Sequence, residues 1–584
     1  MAVMVATDDM SIQIRATKSW QKLPQTWPTP VRKVLAARGL ESAEDLVYSL
    51  EQLPKPNELQ GMSEAVSILY QALKRQQRIL IVADFDADGA TSCAVAIRGL
   101  RQMGAQHVDY IVPNRASHGY GLTPLLLRHA IERQPCDVLI TVDNGIASLD
   151  GVAAAREQGI TVIITDHHLP PEVLPDADAI INPNLSHCSF PSQAMAGVGV
   201  CFYLLIGLRQ YLQQQQWFEQ QQLTPPKLLT LIDLVALGTI ADVVPLDKLN
   251  RTWVQLGLKR IRLGQACEGI KALLRHSGKD FVNCNSEDLG FAIGPKINAA
   301  GRLKDMRIGI AALLTDDSVQ ADQYAMQLTT LNEQRRELEQ TMQQQAQALL
   351  LAMPKQSEAA LAYCLYEERW HQGIIGLLAS RITAQYHRPV IAFAQHREGM
   401  LKGSARSILG IHIRDVLAHI AMQSPDILSQ FGGHAMAAGL MIQQQDLAQF
   451  SLLLEQAIVT LYGAQPVKKV LLSDGQLALS DMTLSLAMVL TRDFPWGQGF
   501  ESPRFHGVFE LMTWSTIGKE KQHLKCRFKG VAGQAIAGIA FNTTRPDWLD
   551  IGEKVELYYQ LQVNYFYSQP TVQLNINQFF PAQH

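Results

Sequence analysis

Five short apolar runs mark the stretch from Arg78 to Pro183: Ile79–Ala83, Val108–Val112, Val138–Val142, Val162–Thr165 and Ala179–Ile181. Helical stretches such as Ser92–Met103 and Ser148–Gln158 lie between them. A β-branched run without polar alternation must be buried on both faces, and an intervening helix returns the chain for a parallel neighbour. The pattern predicts an α/β domain with a doubly wound parallel sheet, extended by helices to about Thr315. Ligands of such sheets bind beyond the carboxyl ends of the strands, so the residues that follow each run carry the chemistry.

Between Asp316 and Met353 there is no Gly or Pro, and Leu328, Leu331, Leu338 and Met342 recur at helical spacing. One helix of that length would span roughly 55 Å at about 1.5 Å per residue and connect two lobes. Two shorter helices fit the same residues. A second α/β unit follows, with strands near Leu361–Tyr366 and Val390–Phe393 and a Gly-rich loop, Phe431–Gly439. From about Pro466 short alternating strands, including Val555–Val563 and Thr571–Ile576, predict a small β-barrel. The Gln-rich Gln213–Gln222 reads as a solvated surface insertion. The expected division of the 584 residues is an N-terminal extension (1–60), a catalytic domain (61–315), a connecting helix (316–354), a second α/β domain (355–465) and a barrel (466–584).

Apolar residues make up 47% and charged residues 18% of the chain, the balance of a soluble globular protein. Apolar runs all fall short of the ~18 residues a membrane-spanning helix needs. Asp8 and Asp9, with no basic segment before an apolar one, argue against a secretory signal. The eight cysteines are scattered without a Cys-x-x-Cys pair, which reads as thiols in a reducing compartment and predicts a cytoplasmic protein. A net charge of −3 leaves nucleic acid open as a partner, provided basic residues are concentrated locally and an acidic site cancels them elsewhere.

The first strand is followed by Asp84-Phe-Asp86-Ala-Asp88-Gly89, the third by Asp143-Asn144-Gly145 and the fourth by Asp166-His167-His168. A further aspartate, Asp242, follows the apolar helix Leu228–Ile240. Taken singly, each motif is as readily an ordinary turn. A calcium loop beginning at Asp84 would need Glu at its twelfth position, where Val95 stands. Together, at one edge of one sheet, so many carboxylates would repel each other unless cations neutralised them. Oxygen-rich ligands with one or two imidazoles suit two Mn²⁺ or Mg²⁺ ions better than zinc. Two such ions about 3.5–4 Å apart are the apparatus of in-line phosphoryl displacement, and Asp143, on a central strand, is the expected bridging ligand.

These motifs resemble the DHH phosphoesterase superfamily, named for Asp166-His167-His168. Val82-Ala-Asp84-Phe-Asp86-Ala-Asp88-Gly-Ala-Thr-Ser92, Asp143-Asn-Gly and Ala241-Asp242-Val-Val-Pro-Leu246 match its other catalytic motifs. His371-Gln-Gly-Ile-Ile-Gly376, Gly403-Ser-Ala-Arg-Ser407 and Gly432-Gly-His-Ala-Met-Ala-Ala-Gly439 look like its substrate-gripping DHHA1-like domain. Pro495-Trp-Gly-Gln-Gly-Phe-Glu-Ser-Pro503 looks like the lead-in to the OB-fold of the bacterial RecJ exonucleases. The resemblance covers roughly residues 60 to 584. It implies hydrolysis of single-stranded DNA from 5′ to 3′ into mononucleotides, in repair and recombination, by a monomer. Single-strand-binding protein and a helicase would be its partners, and no membrane is involved.

Carried over residue by residue, the resemblance makes Asp86, Asp88, Asp143, His167 and Asp242 metal ligands, with Asp84 and His168 close by. Arg115, Ser404 and Arg406 would grip a terminal phosphate, and Arg302 in Asn298-Ala-Ala-Gly-Arg302 would contact the scissile one. Arginine's planar fork fits phosphate oxygens bidentately, and Gly432-Gly433 lets backbone N–H groups approach a phosphate beside His434. In the barrel, Lys525, Arg527 and Lys529 share one strand face while Leu524, Cys526 and Phe528 share the other, with Tyr565, Phe566 and Tyr567 as stacking surface nearby. Two other readings fit parts of this: a DHH enzyme of small substrates, against which the region after Pro466 argues, and an inactive scaffold, against which the intact acidic motifs argue.

Overall fold

The computed structural model describes residues 10–17, 19–114, 118–353, 360–428, 430–518, 520–531, 534–566 and 569–582. Strand β1 (Met10–Ile14) finds its partner far along the chain. Next come β2 (Ile79–Ala83), β3 (Val108–Ile111), β4 (Val138–Val142), β5 (Thr161–Thr165) and β6 (Ala179–Ile181), which form one wholly parallel sheet in the order β3-β2-β4-β5-β6. Every residue of β2 and β4 is buried, as unbroken apolar runs require. Ile79, Ile81 and Ala83 face a core shared with the helices Met62–Lys74, Ala87–Gln102 and Gly197–Gln214. Val82, Leu139 and Ile164 face a second core under Pro124–Arg133 and Leu149–Glu157. The connections from β2 and from β4 run to opposite sides of the sheet. Their divergence opens a crevice at the carboxyl ends of these two neighbours.

The expected helix over Leu228–Ile240 is a 3₁₀ turn, Leu228–Leu231, continued by the helix Ile232–Ala241. Ile232 to Thr239 are all buried, so it runs through the core and delivers Asp242 at its carboxyl end. The connecting segment is a single helix, Ser318–Ala352, whose amino end is capped by Asp317 accepting from Val319 N at 2.7 Å. Ala321, Ala325 and Leu328 pack into the catalytic core. Met342 and Ala346 pack instead against Trp370, Ile374 and Leu378 of the second lobe.

That lobe holds β7 (Tyr363–Tyr366), β8 (Val390–Arg397), β9 (Met400–Arg406), β10 (Gln430–Gly433) and β11 (Ala437–Gln443) in the order β10-β11-β9-β8-β7. Only β7 and β8 run parallel. Phe431–Gly439, read above as a loop, is mostly a hairpin: Gly432 pairs with Gly439, and Gly433 with Ala438. Its glycines suppress the β-branched signal on which strand recognition rests.

Strand β12 (Lys469–Ser473) pairs in parallel with β1, Ile12 opposite Leu471. The N-terminal extension is thus tied to the segment that leads into the barrel, a pairing the sequence reading did not contain. The barrel is closed by β13 (Phe505–Ile517), β14 (His523–Lys529), β15 (Ala535–Ala540), β16 (Lys554–Asn564) and β17 (Thr571–Pro581) in the order β13-β14-β15-β17-β16. Phe505, Phe509, Phe528, Tyr559 and Phe579 fill it. Among the described residues no helix is long and apolar enough to cross a membrane.

Candidate metal centre

The crevice beyond β2 and β4 gathers all eight acidic and imidazole residues singled out at the sheet edge in the sequence: Asp84, Asp86, Asp88, Asp143, Asp166, His167, His168 and Asp242. Asp86 caps the Ala87–Gln102 helix by accepting from Gly89 N at 3.0 Å, so that helix begins inside the acidic motif, earlier than expected. Asp84 lies at the end of β2, nine-tenths or more buried, and accepts from Phe85 N at 2.7 Å. Asp88, in the helix's first turn, accepts from Gly197 N at 2.6 Å and Val198 N at 2.9 Å, the amino end of the Gly197–Gln214 helix. A Cβ on Gly197 would collide with Asp143, so glycine is required where that helix meets the crevice.

Asp143 follows β4 in the left-handed region, φ +61°, which Asp and Asn tolerate better than most residues. Asn144 behind it donates from Nδ2 to the carbonyls of Val82 (3.0 Å) and Val142 (2.9 Å), tying the ends of β2 and β4 together. Asp143 Oδ1 lies 3.1 Å from His167 Nε2, which is 3.5 Å from Asp242 Oδ2. Asp143 Oδ1 and His167 Nε2 are buried, yet neither completes a hydrogen bond with the described residues.

Asp166 has a different role from its neighbours. Its carboxylate accepts from Ile146 N (2.9 Å), His167 N (2.7 Å), His168 N (3.1 Å) and His168 Nδ1 (2.7 Å), leaving it an orienting group. Asn184 adds a second tie, donating from Nδ2 to the His167 carbonyl at 2.6 Å. His168 Nε2 is left facing the site, 3.4 Å from the Tyr120 hydroxyl.

The electrostatics follow from burial and crowding. Burial first, then the neighbouring Asp86, pushes Asp88 up to about 7. Burial first, then the Asp88 and Asp86 carboxylates, holds both Asp143 and Asp242 well above the usual carboxylate range. Burial, then the charge of His168, lowers His167 to about 4, which leaves a neutral imidazole able to coordinate. Burial opposes charge on His168, but its bond to Asp166 and the carboxylates around it hold it up at about 9.

Ligand atoms within 4.8 Å of one another fall into three sets: Asp84, Asp86 and Asp143; Asp143, His167 and His168; Asp88, His167 and Asp242. Asp143 belongs to two of them. Crowded carboxylates, a neutral imidazole and two buried orphan atoms fit hard divalent cations, and the oxygen-rich set favours Mn²⁺ or Mg²⁺.

Arg302 extends the site toward the second lobe. Asn298 Oδ1 accepts from Ala87 N at 2.8 Å, and Gly301 packs so tightly on the Phe85 carbonyl that a Cβ would collide with it. Arg302 Nη1 then donates to the Gly373 carbonyl at 3.1 Å, across the gap between the lobes. A cleft of about 990 Å³ opens there, lined by Phe85, Asn114, Arg302, Arg307, His371 and Lys402 among others. On β9 Ser404 Oγ accepts from Arg406 Nη1 at 3.1 Å. Gly376, in the first turn of the Ile375–Tyr386 helix, makes room for both: its Cβ would lie 2.9 Å from Arg406 Nη2 and 3.0 Å from Ser404 Oγ. His434 follows Gly432 and Gly433 in the β10–β11 hairpin. Burial, then the charges of Arg406, His412 and, from the catalytic domain, His168, lowers its pKa. Arg115 lies outside the described residues.

The barrel face alternates as expected, with Leu524, Cys526 and Phe528 buried and Lys525, Arg527 and Lys529 at least partly exposed. Lys529 is already paired, 2.9 Å from Glu510 Oε2. Tyr565 and Phe566 are exposed, and Tyr567 lies outside the described residues. Residues missed by sequence reasoning are Asn184, Gly197 and Tyr120, together with the tying role of Asn144 and the orienting role of Asp166, both read there only as members of their motifs. Asn182-Pro-Asn184 and Ala196-Gly-Val-Gly199 were visible, but nothing in them signals which carboxylate or carbonyl they will meet.

Three family models match in succession: the DHH family, N-terminal domain over residues 78–239, the DHHA1 domain over 357–460 and the RecJ OB domain over 473–578. The single-stranded-DNA-specific exonuclease RecJ of Salmonella typhimurium is 45% identical over 563 residues, 96% of this chain and 97% of that protein. The chain belongs to the RecJ family. The RecJ of Haemophilus influenzae is 44% identical over 94% of this chain and 96% of its own length. Among solved structures, RecJ from Thermus thermophilus in complex with Mn²⁺ superposes with a TM-score of 0.80 at 28% identity, covering 99% of this chain and 80% of that one. The same protein in complex with Mg²⁺ gives 0.74 at 27% identity, covering 99% of this chain and 79% of that one.

Proposed function

We propose that this RecJ-family chain is a metal-dependent exonuclease that hydrolyses single-stranded DNA from its 5′ end to mononucleotides, in DNA repair and recombination. The observation that carries the reading is Asp143, a buried carboxylate shared by two ligand sets at the crevice, with Oδ1 unsatisfied beside the equally unsatisfied His167 Nε2. Asp86, Asp88, Asp143, His167 and Asp242 would hold two Mn²⁺ or Mg²⁺ ions, with Asp84 beside them. Bound there, the ions supply an activated water and neutralise charge developing on the phosphoryl group. His168, oriented by Asp166 at 2.7 Å, offers a proton donor to the phosphate or leaving oxygen. Arg302 places positive charge at the mouth of the crevice, toward the scissile phosphate.

The second lobe serves as the anchor. Ser404, Arg406 and the amino end of the Ile375–Tyr386 helix converge around Gly376, an arrangement that suits a terminal phosphate. Gly432, Gly433 and His434 flank it, and Arg115 is expected to join them. Lys525 and Arg527, with Lys529 less available, grip the strand further along. Single-strand-binding protein and a helicase are its expected partners, as a cytoplasmic monomer.

The test uses single strands labelled at either end, with Mn²⁺, Mg²⁺ or EDTA. Release of 5′-labelled mononucleotides from the outset, abolished by EDTA, is the expected result, and early loss of the 3′ label overturns the polarity. Arg406→Ala should erase most of the preference for 5′-phosphorylated over 5′-hydroxyl strands while cleavage persists. A preference left intact excludes Arg406 as the anchor.

A further inference from the structure

One segment joins the barrel to the metal centre, and it carries an aromatic side chain turned to solvent. Asn285, Ser286 and Glu287 share a small cavity with Ser502, Gln560 and Gln562 on the barrel side. The chain then enters a π-helical turn, Asp288–Ile293, which passes directly into the Gly294–Leu303 helix that bears Arg302. Gly290 and Gly294 press this turn against the last residues before Asp242: their Cβ atoms would lie 3.2 Å from Ile240 Cγ2 and 3.3 Å from Ala241 Cβ. Leu289 and Ile293 are wholly buried, whereas Phe291 between them is 77% exposed. The turn is therefore anchored on both sides of a phenylalanine that it presents to water, and π-turns of this kind recur at functional sites.

A second apolar side chain stands beside the same ligand. Val243, immediately after Asp242, is 62% exposed. Its φ of +63° is an outlier for a β-branched residue, held only where surrounding contacts impose it. Among the described residues the other non-glycine residues with positive φ are Gln, Asp, His, Lys and Asn. The turn offers no cation for a phosphate, since its one charged residue, Asp288, is acidic and lies 2.7 Å from Lys279.

We propose that Phe291, with Val243 beside Asp242, is a stacking step that receives the bases of single-stranded DNA between the barrel and the metal centre. This inference rests on the exonuclease reading above. The occupant follows from position and charge: the segment starts at the barrel, beside Gln560 and Gln562, and runs into the helix whose Arg302 is assigned to the scissile phosphate, and an aromatic face without cations recognises bases rather than phosphates. Every base has a π-face, so the step is indifferent to sequence, as complete degradation of a strand requires.

The test compares intact 5′-phosphorylated strands with strands carrying abasic residues at successive positions from the 5′ end, for the wild type, Phe291→Ala and Phe291→Trp. In the wild type, removing the base that stacks should raise KM by on the order of tenfold, within the range that truncating a base–aromatic contact gives. Phe291→Ala should show a similar rise on intact strands and no further rise on the abasic one. Phe291→Trp should keep the wild-type sensitivity. Mn²⁺ binding should be the same in all three, and because Phe291 is so exposed none should lose its fold. Phe291→Ala with unchanged KM on intact strands, or with the full wild-type sensitivity to base loss, overturns the proposal. A wild type that degrades no single strand at all would instead overturn the exonuclease reading.

Discussion

Asp143 combines a strained backbone, complete burial and membership of two ligand sets. Asparagine accepts the same left-handed conformation and keeps the shape, so Asp143→Asn removes the charge and little else. Hydrolysis should fall by about 10³-fold or more, the order that loss of one stabiliser of transition-state charge produces. Affinity for single strands should be retained, as gel-shift titration in Ca²⁺ or EDTA would reveal. Near-normal turnover would rule out a bridging Asp143. The same crowding sets a pH dependence for the metal-free protein. The site, with Asp88 raised to about 7, Asp143 and Asp242 raised well above the carboxylate range and His168 at about 9, binds more protons folded than unfolded. Stability from such groups is present at low pH and is lost as pH rises through the folded pKa values. His167, lowered to about 4, acts oppositely, but only below its ordinary value of 6.5. In EDTA, thermal unfolding should therefore move to lower temperature as pH rises from about 6.5 to 9, and Mn²⁺ should flatten the trend. A metal-free protein that gained stability over that window would contradict these shifts.

At the scale of elements, legibility followed the strength of the periodic signal. The strands of the parallel sheet were readable nearly to the residue because burial on both faces demands unbroken β-branched runs. The Gly-rich hairpin was not, since Gly432, Gly433 and Gly439 carry no side-chain pattern to read. Nor was β1, whose five residues gain their structure from β12 more than 450 positions away. Within the site, sequence spacing brought out the carboxylates, but not that Asp166 is consumed by hydrogen bonds while Asp143 is left unsatisfied. Those are tertiary facts. Strand β14 shows the same limit: its alternation was legible, yet the pairing of Lys529 with Glu510 was not. If Lys525 and Arg527 meet phosphates, replacing both with Ala should shrink the log–log salt slope of strand binding by about 1.4, at roughly 0.7 per contact. Lys529→Ala should add less than that increment, because its charge is shared with Glu510. An unchanged slope in the double variant would make the face merely solvated.

Across the whole molecule, the metal centre and the proposed grip on the strand lie on separate bodies, and the N-terminal segment helps to hold the barrel in place. Arg38 donates to Asp474 Oδ1 at 2.6 Å and Oδ2 at 3.0 Å, to the Glu501 carbonyl at 2.6 Å and to the Val34 carbonyl at 2.7 Å. Both ionic side chains are 1% exposed, and the guanidinium stacks over Trp496 at 5.2 Å. Asp474 directly follows β12, and Glu501 belongs to the lead-in of the barrel, so one arginine fastens the N-terminal helix Thr29–Ala36 to both. A bidentate, fully hydrogen-bonded pair satisfies the charges it buries, whereas losing one partner strands the other. Arg38→Ala should cost about 3–5 kcal/mol in denaturant unfolding. Asp474→Ala should cost a similar amount, and the double variant should cost much less than the two together, as coupling within one network requires. The loss should be local as well as global. Amide exchange in β1 and β12 should quicken before that of the central β2 and β4, because the sheet at the metal centre keeps its own core. Unchanged protection across β1 and β12 in Arg38→Ala would mean that the strap is held by its apolar contacts alone.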